Sequence, residues 1–159
     1  MSSLRITSYC LLQSEAERYA EMNPLAMRLV AAFWPGFLGM IVKKKAVIPD
    51  FVTAGMQTVL LACLPGLGQA LPVGVGGPVV ASFANISKTP PALDMEDVHA
   101  FVQRAGAQID AVIKGGISPW NHPTTIINTC VTPPTIVRRG VVDEQAIRKV
   151  CPDVEIKEW

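Results

Sequence analysis

Charge is scarce in this chain. Only 17% of its 159 residues are Asp, Glu, Lys or Arg, against about 25% in an average soluble domain. Half of the residues are hydrophobic, which excludes intrinsic disorder, because disordered chains are apolar-poor and charge-rich. Positive charge is also in short supply. Fourteen Lys and Arg stand against 13 Asp and Glu, a formal net charge of +1, and no patch is basic enough to track a nucleic-acid backbone. Aromatic residues make up 6%, too few for base-stacking platforms. These shortages predict no nucleic-acid partner.

Other absences narrow the chemistry. The four cysteines, Cys10, Cys63, Cys130 and Cys151, include no CxxC pair, so a zinc ribbon or a thioredoxin-like motif is excluded. Four in a chain of this length do not make a disulfide scaffold. Cys130 and Cys151 could pair under oxidising conditions, but buried free thiols are the plainer reading. The N-terminus has no apolar core or small-residue cleavage site and reads as no secretory signal. No Gly-Lys-Ser/Thr exists for a phosphate loop. Gly66-Leu-Gly68-Gln-Ala-Leu71 lacks the third glycine of a dinucleotide fingerprint, so these glycines read as turns and close packing. His122, Cys130 and Cys151 match no zinc spacing. No metal, no cofactor and no small-molecule substrate are predicted.

What is present is unevenly distributed. From Phe51 to Ser87 there is no charged residue at all. Residues 1–87 therefore read as an apolar packing or membrane-contacting region, and 88–159 as a polar region. Leu29–Val42 is a 14-residue uncharged stretch and Phe51–Gly68 adds 18 more. A bilayer-crossing helix needs about 20 apolar residues. Pro24, Pro35, Pro65, Pro72 and Pro78 interrupt the region, and broken helices survive in lipid only where protein satisfies the freed backbone groups. A helical hairpin contacting lipid and a half buried inside an assembly both remain open. Either way, another surface is expected to cover these segments.

The strongest helix signal runs from Met95 to Lys114. Asp94 is a good N-cap, Leu93 and Val98 stand at the positions of a hydrophobic staple, and Gly115 suits the residue after the C-terminus. Val98, Phe101, Val102, Ile109, Val112 and Ile113 recur at helical spacing and form the candidate interaction face. Ser14-Glu-Ala-Glu17 spells a capping box. Asn23-Pro24 caps a second helix, Leu25 to Trp34, which Pro35-Gly36 stops. A short helix follows Asp143 and ends before Cys151-Pro152. Short strands are predicted near Leu4–Ser8, Thr124–Asn128 and Thr135–Arg138, with a last edge strand around Val154 and Ile156. The fold class is α+β, predominantly helical with short strands and an apolar, Gly/Pro-rich N-terminal half.

Catalytic signals are thin. Asn121, His122 and Cys130 supply the residue types of a thiol nucleophile, its base and an orienting group, though loop chemistry explains the same residues. Arg138-Arg139-Gly140 could bind an anion, against the plainer reading of a solvated turn. Pro-Thr-Thr-Ile-Ile-Asn at 123–128 is similar to repeats of spike-tip proteins in contractile injection systems, but the metal-ligand histidines of that pattern are absent and no family is assigned. The expected function is a non-enzymatic structural or accessory subunit, a membrane-associated or virion-type component and an oligomer, with other protein subunits and, in the membrane reading, lipid as partners. Its expected location is a membrane or a large particle. The alternatives are a membrane-active or pore-forming hairpin and a small thiol enzyme using Cys130 and His122.

Overall fold

The computed structural model describes residues 8–85, 89–90, 92–105, 109–114 and 122–158. The chain divides into two compact units. One comprises Met1–Ala81 with His122–Trp159, the other Ser82–Asn121.

A mixed sheet organises the first unit. Its strands are β1 (Ser8–Cys10), β2 (Ala20–Glu21), β3 (Leu38–Lys44), β4 (Thr58–Ala62), β5 (Val79–Ala81), β6 (Thr125–Asn128), β7 (Thr135–Arg138) and β8 (Glu155–Ile156). They lie in the order β5-β1-β4-β3-β6-β7-β8, with β2 pairing on β3. The β1–β4, β3–β6 and β7–β8 pairs are parallel, and the rest are antiparallel. Helices α1 (Ala16–Tyr19), α2 (Pro24–Phe33), α3 (Leu67–Val75) and α5 (Glu144–Val150) belong to this unit.

The expectation of a predominantly helical chain with an apolar helical hairpin is wrong. The uncharged stretches are central strands. Leu38, Gly39, Met40, Ile41 and Val42 are all buried, as are Val59, Leu60, Leu61 and Ala62. A strand covered on both faces shows no polar alternation and reads as a continuous apolar run. Leu29–Val42 thus splits into the end of α2, a turn at Trp34–Phe37 and most of β3. The Trp34 indole donates to the Leu38 carbonyl at 2.7 Å and the Gly36 amide to the Cys63 carbonyl at 2.8 Å, which fixes that turn against the end of β4. Phe51–Gly68 splits into a turn over residues 51–55, β4, a loop and the first residues of α3. Among the described residues, no helix is long and apolar enough to cross a membrane. The membrane expectation is corrected with it: Leu38–Val42 and Val59–Ala62 lack charge because they are buried strands of the sheet.

The main core joins one face of the sheet to the helices. Leu38, Met40 and Val42 of β3, Val59 and Leu61 of β4, Ile127 of β6 and Ile136 of β7 pack with Leu29 and Val30 of α2 and Ile147 of α5. The alternate residues Ile41, Leu60, Ile126 and Val137 form a separate cluster on the opposite face, as the two-residue strand period requires.

Local signals were mostly honoured. Asn23 caps α2, its Oδ1 accepting from the Ala26 amide at 2.8 Å, with Pro24 in the first turn. β6, β7, α5 and β8 fall where turn residues and apolar runs placed them. The Ser14 capping box is not made: residues Gln13–Glu15 form one 3-10 turn without a side-chain cap, and α1 is a single turn.

The second unit contains α4 (Met95–Ala105). Asp94 caps it, its Oδ1 accepting from the Glu96 and Asp97 amides at 2.9 Å each. The helix is shorter than expected, and residues 109–114 have no regular secondary structure. Gly106 follows the helix directly, and glycine in a helix interior costs about 1 kcal/mol relative to alanine. The expected cap Gly115, the strand beginning at Leu4, Asn121 and Trp159 lie outside the described residues.

Candidate functional site

The β6–β7 pair brings hydroxyls and a guanidinium together. Thr124 and Thr125 stand at the start of β6, and Arg138 ends the antiparallel β7. Ile126 lies opposite Arg138 while Ile127 lies opposite Ile136, so the register shifts and Val137 is the extra residue. Such a bulge twists its strand and re-aims a side chain. Here Arg138 Nε donates to the Thr124 carbonyl at 2.9 Å and Nη2 donates to Thr124 Oγ1 at 2.6 Å. Both bonds use one edge of the planar guanidinium, which fixes its orientation. Partial burial lowers the Arg138 pKa, through desolvation of the charged form. The group remains a cation, since an arginine in a protein does not lose its proton.

The frame around this pair is tight. The Thr125 hydroxyl donates to the Val142 carbonyl at 2.8 Å and accepts from the Val142 amide at 3.0 Å. These two hydrogen bonds pin the loop after β7 to the start of β6. Gly140 lies between them, where a Cβ would stand 2.1 Å from the Pro123 carbonyl oxygen and 2.6 Å from the Thr125 nitrogen. Arg139 turns outward and pairs with Glu144 at 3.6 Å and Glu158 at 3.7 Å. A half-buried guanidinium fixed on the Thr124 hydroxyl and carbonyl can hold a carboxylate or a phosphate.

Other candidates are placed differently. His122 and Cys130 are both exposed and stand beyond opposite ends of β6, whose four extended residues alone span about 13 Å. They cannot share a proton. The Cys130 residue is exposed, but its thiol turns inward and donates to the Ile41 carbonyl at 3.6 Å; desolvation of that thiol raises its pKa, Lys43 partly offsetting the rise, the reverse of an activated nucleophile. Cys63, Cys130 and Cys151 are free thiols, so the considered Cys130–Cys151 disulfide is not formed. Val98, Phe101 and Val102 lie on α4, half-buried, whereas Ile109, Val112 and Ile113 follow on non-helical chain. Phe101 and Arg104 help to line a cleft of about 330 Å³ against Asn85, Thr89 and Leu93. Among the described residues, no group of three or more His, Cys, Asp or Glu could hold a metal.

The family model Sua5/YciO/YrdC, described as telomere recombination, matches residues 6–140. The chain belongs to this family. It is 29% identical over 148 residues to a threonylcarbamoyl-AMP synthase of Pyrococcus abyssi, covering 92% of this chain and 41% of that protein. It is 28% identical over 137 residues to a putative threonylcarbamoyl-AMP synthase of Methanocaldococcus jannaschii, covering 86% and 63%. The chain thus spans roughly half the length of these curated relatives. Among solved structures, P. abyssi Sua5 complexed with L-threonine superposes with a TM-score of 0.89 at 25% identity, covering 98% of this chain and 46% of that one. E. coli YciO shares the fold, with a TM-score of 0.79 at 22% identity over 92% of this chain and 71% of that one.

Membership in the Sua5/YciO/YrdC family corrects the functional expectations. Relatives are named as synthases, so a non-enzymatic structural, accessory or virion-type subunit is not supported, nor is a pore-forming hairpin. One relative is held with L-threonine and others are named for an adenylate product, so the exclusion of a small-molecule substrate fails. The exclusion of nucleic acid fails with it, since the family is described by a nucleic-acid process. The error has one physical source. Composition registers bulk binding surfaces, whereas a small-ligand site needs only a few placed polar groups. The Arg138-Arg139-Gly140 anion reading was the one pointer available. Thr124 was missed as its partner because only the bulged register brings the two together.

Proposed function

We propose that this chain carries part of a site that joins a threonine-derived carbamate to an adenine nucleotide, the chemistry for which its relatives are named threonylcarbamoyl-AMP synthase. The supporting observation is the half-buried Arg138 guanidinium held on Thr124 through two hydrogen bonds. Such a reaction brings two anions together. A carbamate oxygen of N-carboxylated threonine forms a bond to the α-phosphorus of ATP, and the bond from that phosphorus to pyrophosphate breaks, the electron pair leaving with pyrophosphate. A cation already fixed beside the reacting groups offsets their repulsion without reorganising during the step. Thr124 and Thr125 keep that cation in place, one by direct bonds and the other by locking the backbone around it.

The test is equilibrium binding of ATP to the chain and to its Arg138→Met and Arg138→Lys variants. Hydrogen bonds to charged groups contribute roughly 1.5–3 kcal/mol, so Arg138→Met should weaken ATP binding about 10- to 100-fold, with Arg138→Lys in between. ATP binding that is absent from the chain, or identical in the chain and in Arg138→Met, defeats the reading.

A further inference from the structure

β8 accompanies β7 only part of the way. Thr135 pairs with Glu155 and Ile136 with Ile156, and the Lys157 amide donates to the Ile136 carbonyl at 3.0 Å. The register stops there, just before the bulge at Val137. Beyond the bulge a side chain takes over from the main chain. Glu158 Oε1 accepts from the Arg139 amide at 3.1 Å, and Glu158 Oε2 lies 3.7 Å from Arg139 Nη1. One carboxylate thus grips residue 139 at both its backbone and its guanidinium. Arg139 Nη2 lies 3.6 Å from Glu144 Oε2, and Glu144 Oε1 accepts from Arg148 Nε at 2.8 Å. The end of β7 is therefore tied both to α5 and to the segment after β8.

This places Arg138 between two holds. Its own guanidinium is fixed on Thr124, on the β6 side. The backbone of the next residue is fixed by Glu158, on the β8 side. A bulge interrupts the ladder and bends its strand, so the β6 pairing alone does not set the course of the chain past Val137. The Glu158 bond supplies the missing constraint. The Arg139 and Glu158 side chains are 58% and 48% exposed, and exposed ion pairs contribute little to overall stability. The bond from the Arg139 amide is charge-assisted and is the firmer of the two contacts. Its effect is on local geometry, which a binding group needs from its supports. We propose that Glu158 is a positioning residue: by holding the Arg139 backbone it keeps the bulge in the shape that aims Arg138 at an anionic ligand. This rests on the reading of Arg138 as the cation of an anion site.

The test is equilibrium binding of ATP to the parent chain, Glu158→Ala, Glu158→Gln, Arg138→Met and the double variant Arg138→Met with Glu158→Ala. Beside it, the NMR signal of the Arg138 Nε–H group is followed without nucleotide, identified by its loss in Arg138→Met. Glu158→Ala should weaken ATP binding about three- to tenfold, with the circular dichroism of the parent chain. Glu158→Gln keeps an oxygen acceptor for the Arg139 amide and should recover most of that loss. In the Arg138→Met background, Glu158→Ala should change binding less than about twofold, because a residue that works through Arg138 has nothing left to work on. The Nε signal should shift or broaden in Glu158→Ala and return in Glu158→Gln. Three results overturn the proposal: parent-like binding in Glu158→Ala, an equal loss in the Arg138→Met background, or an Nε signal indifferent to Glu158→Ala. ATP affinity that falls in Arg138→Met but not in Glu158→Ala defeats the positioning role alone. A chain that binds no ATP defeats the anion site, and the Nε signal then still decides whether Glu158 holds Arg138.

Discussion

Asn23 donates through Nδ2 to the carbonyl oxygen of Thr129, 2.9 Å away and 106 residues further along the chain. The same side chain accepts from the Ala26 amide through Oδ1 and so begins α2. One amide thus starts a helix and ties it to the end of β6. Removing a helix cap costs about 1 kcal/mol, and a lost neutral hydrogen bond about another. Asn23→Ala should therefore lower stability by about 2 kcal/mol. Asn23→Asp keeps the cap acceptor and loses only the donor to Thr129, so its cost should be about half as large. Urea unfolding of both variants measures the difference. Equal losses would mean that the cap contributes nothing.

Two closely packed glycines, Gly39 buried and Gly140 half-buried, should respond very differently to an added methyl group. At Gly39 a Cβ meets the end of the Leu60 side chain, Cδ1, at 2.9 Å, and a leucine terminus can move. At Gly140 it meets backbone: the Pro123 carbonyl oxygen at 2.1 Å and the Thr124 carbon at 2.6 Å. Overpacking costs about 1–3 kcal/mol when neighbours can adjust. Gly39→Ala should fall at the low end of that range. Gly140→Ala should exceed it, because it must part the start of β6 from the loop that the Thr125–Val142 hydrogen bonds lock to it. In a chain of this size each kcal/mol shifts the melting temperature by about 2–4 °C. Thermal melts that place Gly140→Ala no lower than Gly39→Ala would contradict this account of the site's frame.

Sequence signals reached the local elements better than their assembly. The Asn23 cap, the Asp94 cap, the stop at Pro35-Gly36 and the extent of α5 depend on neighbours within one turn, and each was readable there. The nature of Leu38–Val42 and Val59–Ala62 was not. An uncharged run buried on both faces by non-local partners looks the same as a buried helix when only periodicity is available. β3 acquires its identity from β4 on one side and from β6, 87 residues away, on the other. The Arg138–Thr124 pair was hidden for a similar reason. Its two halves sit at the far ends of a hairpin, and the single-residue shift between Ile126 and Ile127 decides that they meet.

Cys151 makes a specific demand on pH. It is 2% exposed, and its thiol lies 3.3 Å from Asp153 Oδ1. Burial first, then the hydrogen bond and charge of Asp153, raise its pKa from 9.0 to about 11, while Arg28 and Arg148 pull weakly the other way. The folded state thus holds the proton that the unfolded chain releases near pH 9. Below pH 9 both states are protonated and the thiol has no effect on the pH slope. From about pH 9 to 11 only the unfolded state ionises, so stability falls, by on the order of 2–3 kcal/mol in full. The contribution is read as the difference between the parent chain and Cys151→Ala, in which all other groups are shared. Their unfolding free energies should run parallel from pH 7 to 8.5 and converge or cross as pH rises toward 11. Curves that stay parallel to pH 11 would show that the folded thiol ionises no later than the unfolded one. They would also remove the reason to treat the Cys151–Asp153 contact as a proton-holding pair.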